Sequence, residues 1–149
     1  RGGLTIGSEM SGGANNIFMR DCQINSKKLN RAFRIKGSEV RGGYVRNIFV
    51  KDVQIDTVGG GPVLNIDLHY KVRDAERDGN LYLPRVENVF IENVICNYAK
   101  QPLFLDGYNE SKIRNVRLKN IDIRNVEIPS HIKYVSNLNL EEFYIHNRK

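Results

Sequence analysis

The chain has 149 residues, 40% hydrophobic and 27% charged, with a formal net charge of +6. That length supports one domain with its own core, and no apolar run approaches the roughly 20 residues of a membrane-spanning helix. The positive balance favours an acidic partner, but charges of both signs are interspersed, with no basic run and no nucleic-acid module, so nucleic acid is disfavoured.

The N-terminus carries no signal-peptide pattern and no initiator Met. It opens inside a glycine-rich motif, so residues 1–149 are expected to be the C-terminal portion of a longer domain. A nine-residue pattern then recurs: Asn, apolar, any, apolar, any, polar, apolar, any, apolar. It fits Asn16–Ile24, Asn47–Ile55, Asn88–Cys96, Asn115–Ile123 and Asn137–Ile145. Strand-like alternation breaks between its fourth and seventh positions, so each copy predicts two short strands meeting at a polar corner. A further strand precedes each copy: Leu4–Ile6, Phe33–Lys36, Leu64–Leu68, Leu103–Asp106 and Ile132–Val135. The spacing between copies varies from 22 residues (Asn115 to Asn137) to 41 (Asn47 to Asn88). A constant strand core with variable corners describes a solenoid. The predicted fold is all-β, a right-handed single-stranded parallel β-helix of about five coils. Its recurring asparagines would form a hydrogen-bonded ladder.

Residues 33–55 set the frame: two strands joined by a glycine turn, with Arg34 and Lys36 on one face by alternation. Residues 56–62, Asp-Thr-Val-Gly-Gly-Gly-Pro, read as a corner of chain breakers. Residues 71–87 read as the longest inserted loop, forming a groove rim. Cys22 and Cys96 occupy apolar positions two coils apart. At about 4.8 Å per coil they would stand roughly 10 Å apart, too far for a disulfide, and read as free core thiols. His69, His131 and His146 show no metal-ligand spacing.

Stacking the preceding strands gives predicted inward columns Leu4, Phe33, Leu64, Leu103, Ile132 and Ile6, Ile35, Ile66, Leu105, Tyr134. The outward columns are Thr5, Arg34, Asn65, Phe104, Lys133 and Gly7, Lys36, Asp67, Asp106, Val135. Lys36 and Asp67 become neighbours, which leaves two readings open. One is a surface ion pair, worth about 0–1 kcal/mol. The other is a site for a carboxylate-bearing ligand, gripped by Arg and Lys.

Arg34-Ile35-Lys36, preceded by Gly-Ser-Glu-Met-Ser-Gly-Gly at 7–13 and followed by Arg-Gly-Gly at 41–43, resembles the polygalacturonases of glycoside hydrolase family 28. Residues 88–107 resemble the exo-acting bacterial branch of that family. The resemblance implies a pectin-degrading hydrolase that cleaves α-1,4-galacturonosyl links with inversion and needs no cofactor or metal. It implies a secreted or periplasmic location and an acidic polysaccharide partner, with no nucleic acid or membrane. It assigns carboxylate binding to Arg34 and Lys36, with Tyr70 lining the same subsite; His69 alternates outward beside them. The family's Asn-Thr-Asp and Asp-Asp motifs, which supply the catalytic carboxylates, do not occur in residues 1–149, and Arg1 stands where a histidine is expected. No catalytic residue is therefore assigned here, and the 149 residues alone are expected to be inactive. Asp67 and Asp106, the outward carboxylates of adjacent coils, are not taken as replacements. The alternative is a non-catalytic carbohydrate-binding or structural β-helix. An open N-terminal coil further predicts self-association.

Overall fold

A computed structural model describes residues 2–72 and 79–147. Its elements are strands throughout: β1 (Gly2–Ile6), β2 (Gly13–Ile24), β3 (Arg31–Lys36), β4 (Tyr44–Asp67), β5 (Arg85–Asp106), β6 (Ile113–Val126), β7 (His131–Lys133) and β8 (Val135–Asn147). Every pairing is parallel, and each strand lies on the equivalent strand of the next repeat. The architecture is a parallel β-helix. No helix among the described residues is long and apolar enough to cross a membrane.

The repeat produces the coil through its two polar positions. Asn16, Asn47, Asn88, Asn115 and Asn137 all have φ between 54° and 59°. The sixth-position residues, Asp21, Asp52, Asn93, Asn120 and Glu142, have φ between 51° and 57°. This left-handed conformation costs most side chains about 1–2 kcal/mol, and Asn and Asp tolerate it best because their short polar groups bond locally. Each such residue bends the strand without breaking it, so β4 and β5 turn corners while remaining paired.

The bends also align side chains. Asn47 Nδ2 donates to Asn16 Oδ1 at 3.2 Å, Asn88 to Asn47 at 2.9 Å, Asn115 to Asn88 at 3.0 Å and Asn137 to Asn115 at 2.9 Å. A second ladder follows at the sixth position. Asn93 Nδ2 donates to Asp52 Oδ1 at 2.7 Å, and Asn120 to Asn93 at 2.9 Å.

Apolar positions between corners fill the interior. Ile48, Val50, Val89, Ile91, Val116 and Leu118 are at most 4% exposed, and Ile66 and Leu105 are fully buried. Each such burial contributes about 1.5–3 kcal/mol. In the first rung Ile17, Met19 and Cys22 are only half-buried. Both thiols are free, and burial pushes the Cys96 thiol up to about 12, leaving it unreactive.

The structure departs from expectation at three places. Residues 56–62, expected as a corner of chain breakers, stay within β4, with Val58 fully buried. The chain takes four steps from Val58 to Pro62 where β5 takes two from Ala99 to Gln101, so the excess is absorbed as a bulge. Residues 85–87 of the expected rim loop open β5, while residues 73–78 of that loop lie outside the described residues, as does Arg1. Finally, β7 pairs two residues off the expected register. His131, Ile132 and Lys133 lie on Phe104, Leu105 and Asp106. Tyr134 is thus no core residue: it takes φ 53° at a corner and is 38% exposed. A two-residue shift preserves the faces, so Ile132 continues the Leu105 column, but it is 46% exposed there rather than buried.

Candidate functional site: a basic outer wall

The strands β1, β3 and β7, with the ends of β4 and β5, form one wall of the solenoid. Its outer columns run Thr5, Arg34, Asn65, Phe104, His131 and Lys36, Asp67, Asp106, Lys133. After each strand the backbone turns in the same way: Gly37 N donates to Asp67 O, Leu68 N to Asp106 O and Gly107 N to Lys133 O.

That turn delivers Tyr70. Its N–H donates to Gly37 O at 3.0 Å, which holds it against the end of β3. The Lys36 ammonium lies 4.7 Å from the Tyr70 ring centroid and the Arg34 guanidinium 5.2 Å from it, both cation–π distances. Three side chains from two repeats thus converge. Lys36 and Asp67 are register partners, yet the ion pair open in the sequence does not form. Asp67 Oδ1 instead accepts the His69 N–H at 3.1 Å. Arg34 Nε is buried with no hydrogen-bond partner. Among the described residues neither cation forms an ion pair, although the Arg34 charge acts on the nearby Asp67 carboxylate.

His69 turns toward the following rung. Its Nε2 lies 2.8 Å from Gly107 O, which can only accept, so that nitrogen carries the proton. The ring lies 4.0 Å from that of Tyr108. Tyr108 Oη donates to Glu39 Oε2 at 3.2 Å, and burial, then the Glu39 carboxylate, pushes the phenol well above its ordinary range. His69, Tyr70 and Tyr108 line a cleft of about 450 Å³ together with Glu39 and Lys71. Asp106 stands between two imidazoles, with Oδ1 3.8 Å from His69 Nε2 and Oδ2 3.5 Å from His131 Nε2. Burial raises the Asp67 carboxyl above its ordinary value, and neighbouring Asp106 adds to this against the opposing His69 N–H. No cluster of three or more metal-ligating side chains occurs among the described residues.

Arg34, Lys36 and Tyr70 are brought together, and His69 sits one rung further on. His131 joins the wall because β7 pairs two residues off the register that the sequence pattern predicts. Its ring stacks on Phe104 at 4.7 Å. The alternation His131-Ile132-Lys133 was the available signal.

A parallel β-helix with cations and an aromatic ring gathered on one outer wall is the class that fold and site define. Residues 2–142 match the family model described as Glycosyl hydrolases family 28, and the chain belongs to that family. It is similar to the solved structure of a hyperthermoactive exopolygalacturonase from Thermotoga maritima, at 32% identity and a TM-score of 0.83. That match covers 97% of this chain and 31% of the exopolygalacturonase chain. Comparison with curated proteins gives no significant match.

Proposed function

We propose that these 149 residues form the acidic-sugar-binding part of a pectin-degrading glycoside hydrolase, and that carboxylates outside residues 1–149 carry the hydrolysis. The observation that carries this reading is the gathering of Arg34 and Lys36 over Tyr70, neither in an ion pair among the described residues. A uronic acid supplies a carboxylate for these cations, and its sugar ring supplies an apolar face for the tyrosine. Inverting hydrolysis of α-1,4-galacturonosyl links needs two carboxyl groups about 6.5–9.5 Å apart with water between them. Asp67 accepts the His69 N–H and Asp106 is flanked by two imidazoles, and the proposal takes neither as that pair. The rim role of the 71–87 insertion, apart from residues 85–87 that open β5, is part of the proposal, supported by Lys71 and Val72 in the lining of the Tyr70 cleft.

Calorimetric titration with oligogalacturonate tests the binding role. Lys36→Ala and Arg34→Ala are each expected to weaken binding about 10-fold or more, the scale of one hydrogen bond to a charged group. Unchanged affinity in both variants would overturn it. A reducing-end assay on polygalacturonate with the 149-residue chain is expected to show no release, and measurable release would place catalysis within this chain. The absence of Asn-Thr-Asp and Asp-Asp motifs from residues 1–149 also fits the second reading, a non-catalytic carbohydrate-binding β-helix. Finding those motifs upstream in the gene selects the hydrolase.

A further inference from the structure

We infer that Asp67 couples uronate binding on this wall to proton uptake: the ligand carboxylate and the Asp67 carboxylate compete for Arg34 and Lys36, and Asp67 takes up a proton as the ligand binds. The inference rests on the reading of Arg34, Lys36 and Tyr70 as an acidic-sugar site and adds how pH controls that site.

Register places Asp67 for this role. It pairs with Lys36 one rung along, about 4.8 Å away at the usual strand spacing. It shares a cleft of about 250 Å³ with Arg31 and Arg34, and its charge acts on both guanidiniums. Yet Arg34 and Lys36 lie on the Tyr70 ring, and Asp67 Oδ1 accepts the His69 N–H. The carboxylate thus stands beside both cations without being hydrogen-bonded to either among the described residues. A uronate that reaches those cations comes within about one rung of Asp67.

Like charges that close disfavour each other's ionised form. Bound uronate therefore raises the proton affinity of Asp67, whatever its value in the free chain. By linkage, a proton on Asp67 strengthens uronate binding by the same factor. The proton comes from solvent and goes to Oδ2, so Oδ1 keeps its bond to the His69 N–H. Burial already lifts this carboxyl above its ordinary value of 3.8, and the Asp106 charge adds to that against the His69 N–H and the His69 and Arg34 charges. The coupling therefore acts above pH 3.8, on the acid side of neutrality.

The groups facing Asp67 are Arg31, Arg34 and Lys36 of β3, Lys100 and Asp106 of β5, and His69 in its own turn. Further out, the Tyr108 phenol feels the Asp67 charge, and His131 and Lys133 of β7 flank Asp106. Asp106 stands one rung further from Lys36 with an imidazole on each side. Asp67 is accordingly the carboxylate that an incoming uronate meets first.

Calorimetry with α-1,4-linked trigalacturonate, in two buffers of different ionisation enthalpy, reads the proton count. At about pH 5, where the uronate is still ionised, the wild-type chain is expected to take up a fraction of a proton per ligand. Its affinity is expected to rise about threefold from pH 7 to about pH 4.5. The fully methyl-esterified trimer carries no charge and should show neither effect. Asp67→Asn, checked for folding by circular dichroism, should bind the acid at least about threefold more tightly than wild type at pH 7. It should also lose most of the proton uptake. Imidazoles gain protons in acid as well, so any uptake left in that variant belongs to His69 and His131. No uptake by the wild-type chain, uptake undiminished in Asp67→Asn, or weaker binding by that variant at pH 7 would overturn the coupling. If Lys36→Ala still weakened binding in that case, the acidic-sugar site itself would stand. Failure of the folded wild-type chain to bind trigalacturonate at either pH would overturn both.

Discussion

At the scale of single residues, the corners of this solenoid are a stereochemical requirement met by asparagine. Asn88 shows both parts of it: φ is 59°, and the side chain donates to Asn47 while accepting from Asn115. Alanine there loses two ladder bonds, each worth about 1 kcal/mol, and must hold a left-handed conformation at a further 1–2 kcal/mol or so. Asn88→Ala is therefore expected to destabilise the chain by about 3–4 kcal/mol in urea unfolding. Asn88→Gly loses the same bonds but tolerates the backbone, so its loss should be smaller by about the conformational cost. Equal losses would show that the ladder alone matters. Asp67 offers a pH test. Its folded-state proton affinity is raised, chiefly by burial, above its ordinary value of 3.8. The folded chain therefore holds this proton more tightly than the unfolded chain, and the resulting stability is present below pH 3.8 and lost as pH rises through the folded value. Asp67→Asn keeps an acceptor for the His69 N–H and removes the charge. The variant is expected to melt above the parent at pH 7, with the gap closing below pH 4. A gap that widened toward acid would reverse the sign of the argument.

At the scale of elements, stability comes from columns rather than from single strands. Ile66 is fully buried and stacks between Ile35 and Leu105. Ile66→Ala is expected to cost about 2–5 kcal/mol, read as a shift of the urea midpoint, because rungs above and below restrain collapse into the space left. The exposed columns contribute differently. Lys51 approaches Glu92 at 3.7 Å, and Arg117 and Lys119 approach Glu141 at 2.8 and 3.3 Å. These alternating charges keep a flat sheet face solvated more than they stabilise it. Beside them Phe18, Phe49 and Phe90 stack at 5.0 and 5.4 Å, and Phe18 is 69% exposed at the end of that pile.

At the scale of the whole molecule, a solenoid's end rungs pair on one side only. Among the described residues β1 and β2 pair only on one side, with β3 and β4. Unpaired parallel edges above a half-buried apolar rung favour association. The 149-residue chain is expected to self-associate with rising concentration in sedimentation velocity. Ile17→Lys, which charges the uncovered first rung, should shift it toward monomer. A clean monomer at high concentration would remove this expectation.

The repeat by itself determined the all-β solenoid, the inward columns of β3 to β5, the asparagine ladder and the shared face of Arg34 and Lys36. All of these follow from local rules: period-2 alternation, and an identical polar corner at a constant place in each copy. The tertiary structure decided what depends on closing the coil. It set the register of β7, absorbed the glycine triplet as a bulge, carried Tyr70 back over Lys36 and left Asp67 bonded to the His69 backbone rather than to Lys36. Those outcomes depend on corner paths of variable length, and a corner's path is set by the rung it packs against, which no local pattern encodes.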